Sequence, residues 1–119
     1  PSAAALHAKR IRTEAQQLRE NERLCFSILS DYAHVLRDWK VRYAPQSPAE
    51  APDERFVEAC HKLDEVEYYL DILTSGNSYE RAEVIQQQMA DGKLDRLRQR
   101  LEKIHKEETE DGYDTADVA

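Results

Sequence analysis

The sequence predicts an all-α fold, an antiparallel helical bundle of three to four helices with one long N-terminal helix and a disordered acidic C-terminal tail. Of its 119 residues, 40% are hydrophobic and 34% are charged, a balance typical of amphipathic helices. Helix-breaking residues are scarce, with 3 Gly and 4 Pro. Apolar residues recur at helical spacings through most of the chain. The length supports one hydrophobic core, so we expect a single domain over residues 1–106, followed by the tail.

The first predicted helix spans about residues 2–43, and this range contains no Pro or Gly. Its apolar positions recur every seventh residue, at Ile11, Leu18, Cys25, Tyr32 and Trp39. The second half of this helix is much richer in apolar residues than the first half. We therefore expect the second half to lie in the core and the first half to protrude or to pair as a coiled coil.

A proline-rich loop separates the first helix from the second, which is predicted over about residues 53–73. Ser47 and Glu50 in the loop have the spacing of a capping box. Gly76 suits a left-handed cap at the far end. The predicted buried face of the second helix comprises Phe56, Ala59, Cys60, Leu63, Val66, Leu70 and Leu73.

Two shorter helices complete the predicted bundle, over about residues 78–90 and 93–106. Asn77 and Glu80 form a second capping-box pattern, and Asp91-Gly92 ends or kinks the third helix. We expect Tyr79, Ala82, Ile85 and Met89 to be the inner positions of the third helix. The fourth carries a narrow apolar stripe of Leu94, Leu97, Leu101 and Ile104.

Charge is distributed unevenly around the formal net value of −7. Residues 1–42 hold 8 Lys/Arg against 5 Asp/Glu, and residues 43–92 hold 3 against 11. Residues 93–106 hold 6 against 2, and the tail, residues 107–119, holds 0 against 6. The tail also lacks apolar periodicity, which predicts disorder. Mutual neutralisation of basic and acidic segments on folding is the simplest explanation of the basic ones.

Two Glu-x-x-His elements, Glu58/His61 and Glu102/His105, raise the possibility of a helical di-metal site. Such a site requires both side chains to point into the bundle. Successive helical residues are separated by about 100°, which puts Glu58 about 120° and His61 close to 180° from the predicted buried face. Glu102 lies about 110° from the stripe of its helix. We therefore predict solvated helix faces and no metal or other cofactor, and keep the metal-carboxylate site as a remote alternative.

Nucleic-acid binding is the alternative function, because basic residues cluster on the fourth helix. The residues concerned are Arg96, Arg98, Arg100 and Lys103. Against this alternative, these residues are spread around the helix, the net charge is negative, and no stacking aromatic residue lies among them.

The preferred function is a non-enzymatic protein-interaction domain, a helical adaptor, scaffold or regulatory-subunit fragment that docks a partner helix or self-associates. The length of the second helix matches only the second half of the first, so the stripe of the first half lacks a local partner. The second helix also has a weaker apolar strip on its other side. The predicted partner-binding residues are Ile11, Ala15 and Leu18, with Val57, Tyr68 and Ile72.

Cysteine usage and hydropathy indicate the compartment. Cys25 and Cys60 fall inside predicted apolar stripes, which favours buried thiols in a reducing environment. No apolar run is long enough to predict a membrane span, and the first residues lack the pattern of a secretory signal. We expect an intracellular protein, cytoplasmic or nuclear, with no membrane partner.

Overall fold

The computed structural model describes the backbone of residues 2–118 and the side chains of residues 2–109. Residues 2–118 form four α-helices, α1 (Ala3–Arg42), α2 (Glu54–Ser75), α3 (Ser78–Met89) and α4 (Lys93–Val118). A short 3₁₀ turn, Ala90–Gly92, separates α3 from α4. Residues 2–118 contain no strand, which confirms the predicted all-α class.

The helices form a three-layer bundle whose third layer is made of α3 and α4 in succession. α2 runs antiparallel to α1, since Phe26 and Thr74 line one groove while Trp39 and Arg55 line another at the opposite end. Near the start of the third layer, Arg81 pairs with Glu22 of α1 at 3.0 Å. Near its end, Glu108 accepts a hydrogen bond of 3.1 Å from the indole N–H of Trp39. The third layer is therefore parallel to α1 and antiparallel to α2.

The hydrophobic core lies beside the second half of α1, as predicted. Burial along α1 begins at Cys25, which is completely inaccessible to solvent, and continues to Trp39. Burial raises the pKa of the Cys25 thiol to about 11, and the nearby Glu22 carboxylate adds to the shift. Between residues 2 and 20 every residue is exposed except the partly covered Ala8. The first half of α1 therefore protrudes from the bundle, and the longest dimension of the molecule is 70 Å.

Capping explains where α2 and α3 begin. The Asn77 side chain accepts from the N–H of Glu80 at 2.9 Å, and the Glu80 carboxylate accepts from the N–H of Asn77 at 3.0 Å, which confirms the predicted capping box. The predicted box at Ser47 and Glu50 is wrong. Glu50 instead accepts from the N–H of Gln46 within a turn, and α2 begins at the N-cap Asp53.

Glycine acts differently at the two ends of α3. The left-handed cap predicted at Gly76 is wrong, because this residue has an extended conformation that leads directly into the N-cap Asn77. A Cβ atom at Gly76 would lie 2.6 Å from the carbonyl oxygen of Ile72, so the close approach requires glycine. At the other end, Asp91 and Gly92 have φ angles of 55° and 69°, which confirms the predicted kink between α3 and α4.

Two predicted buried faces are rotated in the structure. On α2, Cys60 is exposed and the buried face is centred on Ala59, Leu63 and Val66, because α2 packs mainly against α1. On α3, Ile85 is buried as predicted, but Tyr79, Ala82 and Met89 are exposed. Their places are taken by Val84 and Gln88, because α3 packs against both α1 and α2. The stripe of α4 is confirmed, with Leu94, Leu101 and Ile104 buried and Leu97 packed against the core.

The helix α4 continues past Lys106, where the sequence predicts its end. Residues 107–109 belong to this helix, and Glu108 contacts Trp39, so the predicted disorder is wrong for these three residues. The Trp39 indole N–H would otherwise lack a hydrogen-bond acceptor, and its bond to Glu108 holds this turn of α4 against α1. The rest of the predicted tail, residues 110–119, lies outside the part whose side chains are described.

Candidate functional site

The most prominent exposed feature is the first half of α1, residues 3–21, which we call the projecting segment. A stripe of apolar residues, which we call the seam, runs along it and consists of Ala8, Ile11, Ala15 and Leu18. Ile11 is 50% exposed and Leu18 is 49% exposed. The predicted residues Ile11, Ala15 and Leu18 therefore lie together on one face, and no residue of the described chain packs over them to bury them.

The seam continues the stripe by which α1 packs in the bundle. Its positions alternate in steps of three and four residues, and the same rhythm leads through Glu22 to Cys25 and Leu29, which are buried. At the junction the Glu22 carboxylate is paired with Arg81 of α3. This ion pair marks the end of the bundle, and the stripe on its N-terminal side is left without a partner helix.

Arginines line one side of the seam. At about 100° per residue, Arg12, Arg19 and Arg23 lie roughly 60° to 100° from the centre of the seam, all on the same side. The opposite side carries His7, Glu14 and Asn21. We call Arg12, Arg19 and Arg23 the arginine flank. Two other exposed leucines, Leu6 and Leu24, point away from the seam and do not extend it.

The second predicted strip, on α2, is divided by the fold. Ile72 packs against the core, Val57 is half-buried, and Tyr68 is 62% exposed. The Tyr68 ring contacts Tyr69, with ring centroids 5.8 Å apart. Because the three residues differ so much in exposure, the strip offers mainly one tyrosine ring, and it lies on the bundle and not on the projecting segment.

Glu58 links three helices, a role that sequence analysis missed. Its carboxylate accepts hydrogen bonds from the Tyr32 hydroxyl of α1 at 2.7 Å and from Nε of Arg100 of α4 at 3.2 Å. Burial raises the pKa of the Tyr32 hydroxyl, and its hydrogen bond to Glu58 raises it further. The expectation that Glu58 lies on a solvated face is wrong, because its carboxylate lies against the Tyr32 hydroxyl of α1 and the Arg100 guanidinium of α4, and its side chain is only 22% exposed. The opposite charges of the acidic α2 and the basic α4 were the available signal.

The basic residues of α4 proposed for nucleic-acid binding mostly interact within the chain. Arg96 donates to the backbone carbonyl of Asp91, and Arg98 pairs with Asp95 and Glu102. Arg100 pairs with Glu58. Lys103 has no ion pair among residues 2–109. Nucleic-acid binding through α4 remains a prediction, and no contact in the described structure favours it.

Metal-ligating side chains do not converge where the side chains are described. Glu58 is occupied by Tyr32 and Arg100, whereas His61 and His105 are exposed on different helices. Residues 2–109 contain no group of three or more His, Cys, Asp or Glu side chains placed to hold a metal ion. The two Glu-x-x-His elements therefore do not form a common metal site within residues 2–109.

A cavity of about 630 Å³ opens between the start of α2 and α4. Its charged groups are largely paired with one another: Arg55 donates to Asp53 at 2.8 Å, and Arg100 binds Glu58. The pKa of Asp53 is lowered to about 2 by the side-chain and backbone hydrogen bonds from Arg55. These contacts stabilise the first turn of α2.

Among the residues described, no helix is both long and apolar enough to cross a bilayer. Comparison of the chain with family models, with curated proteins and with solved structures finds no match.

Proposed function

We propose that this chain is a non-enzymatic protein-interaction domain, in which the bundle is a rigid base and the projecting segment docks a partner helix or a second copy of the chain. The observation that carries the proposal is the seam. It has the spacing of a coiled-coil stripe, it continues a stripe that packs well inside the bundle, and it is about half exposed.

The bundle supports this role mechanically. α1 is one continuous helix of 40 residues, so the projecting segment is held in a fixed direction by the buried half of the same helix. Glu22 and Arg81 fasten α1 to α3 at the junction. A pre-formed helix loses less conformational entropy on binding than a segment that must fold first, which favours docking.

Leu18→Asp tests the proposal, because a carboxylate in the seam opposes burial against another helix. The matched control is Leu24→Asp, which changes a similarly exposed leucine on the other side of α1. Self-association is measured by light scattering at two concentrations about tenfold apart, and hetero-association by crosslinking in a cell extract with quantification of the captured proteins.

We expect Leu18→Asp to abolish association, and Leu24→Asp to retain it, with unchanged helicity by circular dichroism in both. If Leu18→Asp keeps the same assembly state and captures the same proteins as the unmodified chain, the seam is not the docking surface and the proposal is wrong.

A further inference from the structure

The arginines of this chain differ in whether they have a partner. The chain has 11 arginines. Eight of them form an ion pair or a side-chain hydrogen bond within residues 2–109, at positions 10, 37, 42, 55, 81, 96, 98 and 100. The three that form neither with any described residue are Arg12, Arg19 and Arg23, which together are the arginine flank.

The arginine flank is a local excess of positive charge beside an apolar stripe. Arg19 and Arg23 are four residues apart, so their like charges repel one another on the helix surface. The carboxylate of Glu22, at the junction that follows the seam, is already bound to Arg81. On the other side of the seam, Glu14 is matched by Arg10 of the same helix, at 3.9 Å. In a coiled coil the positions beside the seam form the ion pairs that select the partner.

We infer that the partner of the projecting segment is a helix from a different protein, with large apolar residues along its own seam and acidic residues along the edge that faces Arg12, Arg19 and Arg23. This inference rests on the proposed function and names the partner's chemistry. The alanines at positions 8 and 15 leave room for large apolar side chains of the partner, and carboxylates would match the arginine flank.

A second copy of the chain fits this surface poorly. In an antiparallel pair of identical helices each edge faces its own equivalent, which sets the arginine flank of one copy against that of the other. In a parallel pair, the straight α1 of the second copy would continue along the seam into α2 and α3, which already cover it from Cys25 onward. Charge disfavours the first arrangement, and steric overlap prevents the second.

Nucleic acid also attracts arginines, but the apolar seam favours protein. A phosphate backbone gains nothing from a stripe of Ile11 and Leu18, and residues 2–25 contain no Phe, Tyr or Trp side chain on which a base could stack. We therefore treat nucleic-acid binding as an outcome that would overturn the inference.

Two synthetic helical peptides of about four heptads test the inference. Both have leucine at the seam positions, and they differ only at the two flanking positions of each heptad, which are glutamate in one peptide and lysine in the other. Placing the same charge on both flanks avoids assuming a parallel or antiparallel orientation and discourages self-pairing of the peptide. Binding to the full chain is measured by fluorescence anisotropy at low and high salt.

We expect the glutamate peptide to bind at least about tenfold more tightly than the lysine peptide, with the preference shrinking at high salt. Replacing Arg12 and Arg19 together by Glu should reverse the preference. Lys40→Glu with Lys106→Glu, an equal charge change at two exposed lysines elsewhere, should leave it intact. Leu18→Asp should abolish binding of both peptides.

Several outcomes would overturn the inference while leaving the proposed function standing. One is equal binding of both peptides that depends on Leu18. Another is a dimer of the chain that Leu18→Asp dissociates. Tighter binding of a DNA duplex or a single-stranded RNA than of the glutamate peptide, unaffected by Leu18→Asp, would overturn the inference in favour of nucleic acid. If neither peptide binds and the chain also shows no Leu18-dependent association, both proposals fail.

Discussion

At the scale of single residues, the contact with the most structural consequence is the one at Glu58. One carboxylate receives a hydroxyl from α1 and a guanidinium from α4, so three helices meet at one polar group. The Tyr32 ring is almost fully buried, and its hydroxyl needs an acceptor there. The register between the helices is thus fixed by a hydrogen-bond network as well as by apolar packing.

Removing the Tyr32 hydroxyl should therefore weaken the bundle. We expect Tyr32→Phe to lower the free energy of unfolding by about 1 kcal/mol, the usual net contribution of one intramolecular hydrogen bond. Tyr68→Phe is the matched control, because Tyr68 is exposed and its hydroxyl forms no hydrogen bond with a described residue. Urea denaturation of both variants measures the difference. Equal stability of the two variants would show that the Tyr32–Glu58 bond contributes nothing to folding.

At the scale of helices, the same kind of cap occurs in two different settings. Asn77 caps α3, which is packed against α1 and α2, whereas Ser2 caps the free end of α1 by accepting from the N–H of Ala5 at 3.0 Å. A cap contributes to global stability only if its helix end is part of the cooperative core. The end of α1 is separated from the core by the whole projecting segment.

We therefore expect Asn77→Ala to destabilise the protein by about 1 kcal/mol, and Ser2→Ala to leave the midpoint of thermal unfolding unchanged. Ser2→Ala should instead reduce helicity slightly through fraying of the first turn. Differential scanning calorimetry and circular dichroism measure the two effects. A substantial fall in the midpoint on Ser2→Ala would mean that the projecting segment folds cooperatively with the bundle.

At the scale of the whole molecule, α1 belongs to two environments. Its second half is buried by α2 and by the α3–α4 layer, and its first half extends into solvent. Most helical stability in proteins comes from tertiary packing, so the projecting segment depends on the buried half of α1 to nucleate it.

Amide hydrogen exchange should show this division. We expect amides of the projecting segment after its first turn to exchange through local opening of the helix, more slowly than in an unfolded chain but much faster than those between Ile28 and Trp39, which exchange only through global unfolding. Adding a bound partner should slow exchange within the projecting segment. Uniformly slow exchange along α1 in the isolated protein would contradict an uncovered seam and would indicate that another copy covers it.

The sequence by itself determined which segments are helical and which half of α1 is exposed. Both follow from local signals, since the heptad spacing from Ile11 to Trp39 runs along one helix and the capping box at Asn77 spans four residues. The positions of the seam residues Ile11, Ala15 and Leu18 on one face follow from the same periodicity. The length of the second helix, which matches only the second half of the first, already predicts that these residues lack an intramolecular partner.

Only the tertiary structure decided how α2 and α3 are rotated and which charges are paired. The burial of Val84 and Gln88 instead of Tyr79, and the exposure of Cys60, depend on contacts between helices distant in sequence. The role of Glu58 depends on where α4 lies, and so does the engagement of Arg100. The arginine flank is distinguished from eight other arginines only by the absence of a partner among the described residues. Periodicity places a side chain on a helix, but pairing depends on the neighbour that the fold brings to it.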